Sequence, residues 1–262
     1  MPTRCPCCDP VWGAQRKYSE LLVCQHIEEP NYRAIQPMSQ TSTEEMAQGI
    51  IEVCKDLAKT PMRNYQRIPF DDIYDQNKAS SLLASFPKGE FGDTSNRIVM
   101  HDQRGQNVVV FGDIHGQLSS LLRWFGMVGW PDENPTTFYL FLGDYVDRGN
   151  FSYECLMMLF SLRHVCRKRE YKNGELRPQN MELLRGNHET LQISRVYGLW
   201  GDIKQKVCEG IESKANQFFQ VIGRTIFADL PFVCILNKKY LCMHGGIPQA
   251  MLGQGISRYH TE

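Results

Sequence analysis

The 262-residue sequence contains no run of about 18 apolar residues, the length that a membrane-spanning helix requires. The N-terminal stretch also lacks the apolar block of a secretory signal peptide. Lysine and arginine together number 29, as do aspartate and glutamate, so no excess of one charge favours nucleic acid or an anionic membrane as a partner. We therefore expect a cytoplasmic or nuclear protein that binds neither.

Cysteine is abundant, with ten residues, but the pattern does not indicate a disulfide framework. Half of the cysteines occur inside apolar or periodic stretches, where a thiol behaves as a small buried hydrophobe, and this favours a reducing compartment. These are Cys54, Cys155, Cys208, Cys234 and Cys242. Near the N-terminus, Cys5, Cys8, Cys24 and His26 offer zinc-binding side chains, but their spacing is poor for zinc. We favour a leader with exposed thiols.

Three regions follow one another along the chain. Residues 1–40 show no sustained periodicity and are expected to form a flexible arm. Residues 41–96 are expected to form a helical region and a linker. Here Ser42 and Glu45 predict a capping box before an amphipathic helix that ends near Pro61, and the segment KASSLLASF predicts a second helix. Residues 97–262 form the third region, in which the pattern changes.

In that third region, short apolar runs alternate with helical patterns. The runs NVVVFGD, TFYLFLGD, MELLRGN and KYLCMHGG predict buried strands, and QLSSLLRWFGMV and SYECLMMLFSLRHVC predict helices. Strand followed by helix, repeated, indicates an α/β fold with a largely parallel sheet. The runs FVCIL and KYLCM, separated by Asn237 and Lys238, instead predict a hairpin.

Each of the four runs ends in glycine plus a polar residue, at the sheet edge where open α/β sheets bind ligands. In GDIHG, Asp113 and His115 are two positions apart, so an extended backbone would place both on one face. Such oxygen and nitrogen donors suit manganese, iron or zinc. Taken singly, each motif has an ordinary structural explanation such as a turn, a helix cap or a surface ion pair. Four motifs in this order are harder to assign to chance.

Together, GDIHGQ, GDYVDRG, LLRGNHE and HGG resemble the signature motifs of the phosphoprotein phosphatases, which are metal-dependent Ser/Thr phosphatases of the calcineurin-like phosphoesterase group. The resemblance covers about residues 97–248. It implies an α/β fold in which helices flank a calcineurin-like metallophosphoesterase β-sandwich. Because the family's domain continues beyond HGG, residues 97–262 resemble a truncated catalytic domain in which the second half of the sandwich is incomplete.

The resemblance also implies a set of roles. Two divalent metal ions (Mn, Fe or Zn) would activate the water that hydrolyses phosphoserine or phosphothreonine. Their ligands would be Asp113, His115, Asp144, Asn187 and His244. His188 would protonate the leaving oxygen, Asp147 would orient His188, and Arg148 would hold the phosphate. Arg185 is a second arginine near the site, but it does not match the family's phosphate clamp.

The sequence departs from the family pattern in that a further histidine for the second metal, another arginine and a tyrosine-bearing loop are not recognisable. We therefore expect the second metal to bind weakly. Three hypotheses remain open. In the first, the chain is a protein phosphatase that acts on phosphoprotein substrates, with a regulatory subunit as a further partner. In the second, it is a catalytically impaired phosphoprotein-binding or regulatory fragment of this family. The third hypothesis is another calcineurin-like hydrolase, such as a dinucleoside polyphosphatase.

Overall fold

Two three-stranded sheets form the centre of the protein in a computed structural model, which describes residues 35–59, 67–86, 98–101, 106–167 and 179–247. The first sheet has the order β2-β3-β4 and is entirely parallel. In the second sheet, β1 pairs with β5 in parallel and β5 pairs with β6 antiparallel. The strands are β1 (Ile98–His101), β2 (Asn107–Phe111), β3 (Thr137–Phe141), β4 (Met181–Leu183), β5 (Val233–Leu236) and β6 (Tyr240–Met243).

The two sheets pack through one apolar cluster. Phe138 and Leu140 of β3, with Leu184 just after β4, contact Cys234 and Leu236 of β5. The HGG motif, which follows β6, therefore arises from the second sheet, whereas the other three motifs follow strands of the first sheet. The expectation of largely parallel pairing is confirmed, since three of the four strand pairs are parallel and the one antiparallel pair is the predicted hairpin. That hairpin belongs to the second sheet, which packs on the first. This arrangement agrees with the sandwich that the resemblance implied.

The predicted hairpin between β5 and β6 is confirmed. Asn237 and Lys238 connect the strands with φ angles of 51° and 55°, and the amide of Lys239 donates to the carbonyl of Leu236 at 2.9 Å. Two consecutive positive φ angles give the turn the twist that suits flanking antiparallel strands. Asparagine tolerates this conformation better than most residues do.

Seven α-helices lie within the described residues. They are α1 (Gln40–Ala58), α2 (Gln76–Ser85), α3 (Leu118–Val128), α4 (Ser152–Arg167), α5 (Leu191–Tyr197), α6 (Leu199–Lys206) and α7 (Glu212–Thr225). The first four confirm the helices that the sequence predicted, whereas α5, α6 and α7 were not predicted. Helix α1 packs against α3 and α4, and α2 packs against α7. None of these helices combines the length and apolarity needed to cross a membrane.

The beginning of α1 differs from the prediction. Ser39, not Ser42, is the N-cap, and its hydroxyl accepts the amide of Ser42 at 3.3 Å. The capping box was wrong because Ser39 keeps an extended backbone, while Ser42 already lies inside the first helical turn. The apolar face was predicted correctly, since Ile50 and Cys54 are fully buried. Residues 1–34 of the expected N-terminal arm, with all of its cysteines, lie outside the described residues. Gln40, the last residue of that expected arm, already belongs to α1.

A buried ionic cluster joins α4, α6 and the turn before α2. The wholly buried carboxylate of Glu154 accepts the Tyr74 hydroxyl at 2.9 Å and pairs with Nζ of Lys206 at 2.9 Å. Lys206 also pairs with Asp202 at 2.8 Å and donates to the carbonyl of Asn150 at 2.6 Å. Burial raises the pKa of Glu154 and of Asp202, and Lys206 opposes both shifts. The cluster anchors the loop that begins at Asp147.

Candidate metal centre

Four strand ends converge on one small volume. Asp113 follows β2, Asp144 follows β3, Asn187 follows β4 and His244 follows β6. Nε2 of His244 lies 3.0 Å from Oδ1 of Asn187 and 3.3 Å from Oδ2 of Asp144. Its Nδ1 lies 3.9 Å from Oδ1 of Asp113. The structure thus brings together donors that are separated by as many as 131 positions in the sequence (113 to 244).

His115 completes this group of donors. Its Nδ1 lies 2.8 Å from the carbonyl oxygen of Val146, which can only accept a hydrogen bond. Nδ1 therefore carries the proton, and the lone pair of Nε2 is available as a ligand. Nε2 lies 3.7 Å from a carboxylate oxygen of Asp113 and 3.7 Å from one of Asp144.

An extended backbone was expected to place Asp113 and His115 on one face, and this expectation was wrong. The strand ends at Phe111, and His115 has a φ angle of 45°, so the backbone is not extended between the two residues. A turn brings them together instead. The amides of Ile114 and His115 both donate to the carbonyl of Asp144 at 2.9 Å, which fixes this turn against the neighbouring strand end.

Asp144 occupies the centre of the group and is almost fully buried. Its Oδ2 faces both His115 and His244, while its Oδ1 accepts the amide of His188 at 2.9 Å. A carboxylate oxygen that faces two histidines from different strand ends suits a position between two cations. The donor set of two carboxylates, two imidazoles and one amide oxygen fits divalent manganese, iron or zinc.

Glu189 is a structural residue of the site that sequence reasoning missed. Its carboxylate is fully buried and accepts three amides at 2.8 Å, from Asp144, Tyr145 and Gly186. Burial raises its pKa to about 7, and the three amides oppose that shift. The available signal was the final residue of RGNHE, an acidic side chain directly after two candidate site residues. Glu189 holds the backbone of Asp144 in place.

Two glycines explain why a glycine precedes the polar residue in the second and third strand-end motifs. A Cβ on Gly186 would overlap Oδ1 and the amide of Asp144, and a Cβ on Gly143 would overlap the backbone of Gly186. Gly143 also has a φ angle of 118°, a conformation that side chains rarely adopt. The two loops can therefore approach closely only if both positions lack a side chain.

His188 lies beside the metal-ligand candidates and forms a buried pair with Asp147. Its Nδ1 lies 2.7 Å from Oδ2 of Asp147, and Oδ1 of Asp147 accepts the amide of Leu199 at 2.8 Å. The rings of His188 and His115 are 4.7 Å apart in an edge-to-face arrangement. His188, His115 and Asp144 also form a group with metal-ligating geometry. The remaining nitrogen of His188 therefore has two available roles, ligand or proton donor.

Arg148 lies at the rim of the site and is exposed. Its amide donates to the carbonyl of Tyr197 at 3.0 Å, and it borders a small cleft at the beginning of α3. Within the part of the chain that the structure describes, its guanidinium forms no salt bridge. Arg185 is engaged differently: its Nε donates to the carbonyl of Glu189 at 3.1 Å, and its guanidinium lies over the Phe232 ring.

The backbone around the site is unusual. Of the seven non-glycine residues with positive φ in the described part of the chain, four are candidate site residues. These are His115, Asp144, Asp147 and Arg148. Such conformations cost free energy and persist only where surrounding contacts enforce them. Their concentration here indicates a site whose geometry is maintained for a function.

Comparison with known proteins agrees with this geometry. The family model for the calcineurin-like phosphoesterases matches residues 106–261. The chain is 35% identical over 144 residues to serine/threonine-protein phosphatase 5 of Arabidopsis thaliana, and the match covers 55% of this chain and 23% of that protein. The phosphatase 5 of Solanum lycopersicum is also 35% identical over 144 residues, with coverage of 55% and 22%. The match thus spans less than a quarter of each relative.

Among solved structures, a protein serine/threonine phosphatase from Saccharomyces cerevisiae aligns with a TM-score of 0.52 and 26% identity. The alignment covers 68% of this chain and 54% of that chain. The α/β sandwich, the strand-end donors and the family match therefore point to the same conclusion. The chain belongs to the calcineurin-like phosphoesterase family.

Proposed function

We propose that the chain is a metal-dependent protein phosphatase that hydrolyses phosphoserine and phosphothreonine in proteins. The observation that carries this proposal is the convergence of donors from four strand ends around Oδ2 of Asp144, beside the buried pair of His188 and Asp147. The similarity to two serine/threonine-protein phosphatases supports the choice of substrate.

Asp113, His115 and Asp144 would hold one divalent cation, and Asp144, Asn187 and His244 would hold a second. When bound, such cations polarise the phosphate and lower the pKa of water into the neutral range. The protein's contribution is a rigid set of donors. Glu189 and the carbonyl of Val146 fix Asp144 and His115, so little rearrangement is needed when cations bind.

His188 would act as the proton donor to the departing serine or threonine oxygen. An alkoxide is a poor leaving group, and a positioned imidazolium removes that penalty. The buried carboxylate of Asp147 holds Nδ1, so Nε2 would be the nitrogen that delivers the proton. The amide of Leu199, at the beginning of α6, occupies the other oxygen of Asp147 and fixes the orientation of this carboxylate.

Arg148 would bind the phosphate oxygens of the substrate. Its planar guanidinium matches phosphate with paired donors. Arg148 is exposed and forms no salt bridge with the other described residues. Its backbone is held by Tyr197, and the amide of Gly149 donates to the carbonyl of Asp147 at 2.7 Å. The arginine is therefore carried by the same rigid loop as the residue that orients the proton donor.

The test uses the full chain, stripped with a chelator and then reconstituted with Mn²⁺. We expect hydrolysis of a phosphoserine peptide that is abolished by chelation and restored by Mn²⁺, with Asp144→Asn inactive. Diadenosine tetraphosphate should be hydrolysed far more slowly. Preference for the dinucleotide would instead favour a dinucleoside polyphosphatase. Binding of the phosphopeptide without turnover at any metal concentration would favour a non-catalytic phosphoprotein-binding role.

A further inference from the structure

Cys234 and Cys242 are directly opposite each other in the hairpin that carries His244. In the antiparallel pairing of β5 with β6, Cys234 is the register partner of Cys242. Directly opposed residues in such a pair have Cα atoms about 4.5 or 5.5 Å apart and side chains on the same face of the sheet. Both spacings lie within the range of about 4.4–6.8 Å that a disulfide accepts.

The surroundings of the two thiols determine which of them an oxidant can reach. Both side chains belong to the cluster between the sheets, and both are free cysteines in this structure. Cys234 is fully buried, whereas Cys242 is partly exposed. An oxidant from solution can therefore reach Cys242, and Cys234 is the neighbouring thiol that can then react with it.

We propose that Cys234 and Cys242 form a redox-active pair that closes to a cross-strand disulfide when the protein meets a peroxide. Cys242 attacks hydrogen peroxide, the O–O bond breaks, and a sulfenic acid and water form. The sulfur of Cys234 then attacks the sulfur of Cys242, the S–O bond breaks, and a second water leaves. Two thiols lose two electrons and two protons, and the peroxide is reduced to two waters.

The disulfide would covalently join the strand that leads to His244 to its neighbour. Cys242 precedes the candidate ligand by two positions, so closure acts on the hairpin that presents this imidazole. Burial raises the pKa of Cys234 to about 12, and it also raises the pKa of Cys242.

The sequence provides a direct assay. Trypsin cleaves at Arg224, Lys238, Lys239 and Arg258, so the two thiols fall into peptides 225–238 and 240–258, each with one cysteine. We would incubate the native full chain with hydrogen peroxide at pH 8, block free thiols under denaturing conditions, digest and analyse by mass spectrometry. The expected product is a linked pair of these peptides, two hydrogens lighter than their sum and separated by dithiothreitol.

Two variants control this assay. Cys242→Ala should abolish the linked pair, and Cys155→Ala, which removes a fully buried thiol on α4, should leave its yield unchanged. Recovery of both peptides as blocked thiols, while other cysteines of the chain are oxidised, would overturn the proposal. So would linkage of Cys242 to other cysteines at equal yield, or its conversion mainly to sulfinic acid. The readout is a peptide mass, so it does not depend on the proposed phosphatase activity.

Discussion

Nδ1 of His188 lies 2.7 Å from Oδ2 of Asp147, and both side chains are almost completely buried. The second oxygen of Asp147 is occupied by the amide of Leu199, so the carboxylate accepts hydrogen bonds on both sides. A carboxylate held in this way accepts a hydrogen bond from Nδ1 of His188 and leaves the other ring nitrogen pointing away from Asp147. This relationship supports the assignment of His188 as a proton donor.

Replacement of Asp147 tests that relationship. Asp147→Asn keeps the side-chain size but replaces the carboxylate that holds Nδ1 of His188, so kcat on a phosphoserine peptide should fall about 10²-fold or more. Bound manganese should remain unchanged by elemental analysis. Asp56→Asn, in which an exposed carboxylate is replaced, should retain parent activity. An Asp147→Asn variant with parent kcat would show that His188 does not depend on this partner.

The two roles available to His188 can be separated by measuring metal content. Asp144→Asn should lower the amount of Mn²⁺ retained after dialysis, because Oδ2 of Asp144 faces both candidate histidine ligands. His188→Asn should retain as much Mn²⁺ as the parent. Circular dichroism on both variants checks that the fold is intact. If His188→Asn loses the metal while it remains folded, His188 is a ligand with His115 and Asp144.

The buried carboxyl of Glu189 predicts a pH-dependent stability of the chelator-treated protein. Burial raises its pKa from 4.5 to about 7, so between these values the folded chain holds a proton that the unfolded chain has released. The free energy of unfolding should therefore decrease as pH rises from about 4.5 to about 7. Urea unfolding at several pH values measures this slope.

Glu189→Gln supplies the matched test of that slope. The substitution removes the titration and should flatten the profile. It should also lower stability by about 1–3 kcal/mol, because an amide NH₂ replaces an acceptor that faces backbone N–H groups. Glu209→Gln, at an exposed position, should preserve the parent profile. A Glu189→Gln profile as steep as the parent's would assign the slope to other groups.

Lys206 predicts a different stability effect. Lys206→Met would leave the buried carboxylate of Glu154 and the partly buried carboxylate of Asp202 without their cation. Breaking a buried ion pair costs about 3–5 kcal/mol. Burial raises the pKa of both carboxyls, and the loss of Lys206 removes the opposing effect, so both bind protons more readily. The destabilisation should therefore be smaller at pH 5 than at pH 8.

The control for this prediction is Lys59→Met, which removes an exposed pair with Asp56 and should leave stability close to that of the parent. Urea unfolding of the three proteins at both pH values measures the comparison. An equal loss at pH 5 and pH 8 would show that the carboxyls of the cluster do not take up protons when the ammonium is removed.

The sequence was informative wherever a strand ended in a polar motif. The four runs were recognisable as short apolar stretches. Strands β3 and β4 are buried as predicted, whereas most of β2 and β6 is exposed or only partly buried, so the prediction of buried strands was wrong for those two. The convergence of the four runs was inferred from the rule that ligands bind at the carboxyl ends of strands. The turns themselves were not predictable. The φ angle of 56° at Asp144 depends on the contacts with Glu189 and with the turn at His115, which are tertiary.

Helices α5 and α6 show a second limit of sequence reasoning. Both are short, and neither Thr190 nor Gly198, the residues that precede them, caps the helix with a side-chain hydrogen bond. Local signals for their beginnings were therefore weak. The amide of Leu199, in the first turn of α6, is satisfied by the carboxylate of Asp147 from a distant loop. The same contact orients the carboxylate of Asp147 beside His188. The position of the first turn of α6 and the geometry of the site therefore depend on each other.

The most direct test of proton donation by His188 compares two leaving groups on the same Mn²⁺-reconstituted preparations. A phosphoserine peptide needs a proton on its leaving oxygen, whereas p-nitrophenyl phosphate releases a stable phenolate that does not. His188→Asn should reduce kcat on the peptide by about 10²–10³-fold and change kcat on p-nitrophenyl phosphate by less than about tenfold. Equal losses on both substrates, with metal content preserved, would contradict the assignment of His188 as the proton donor.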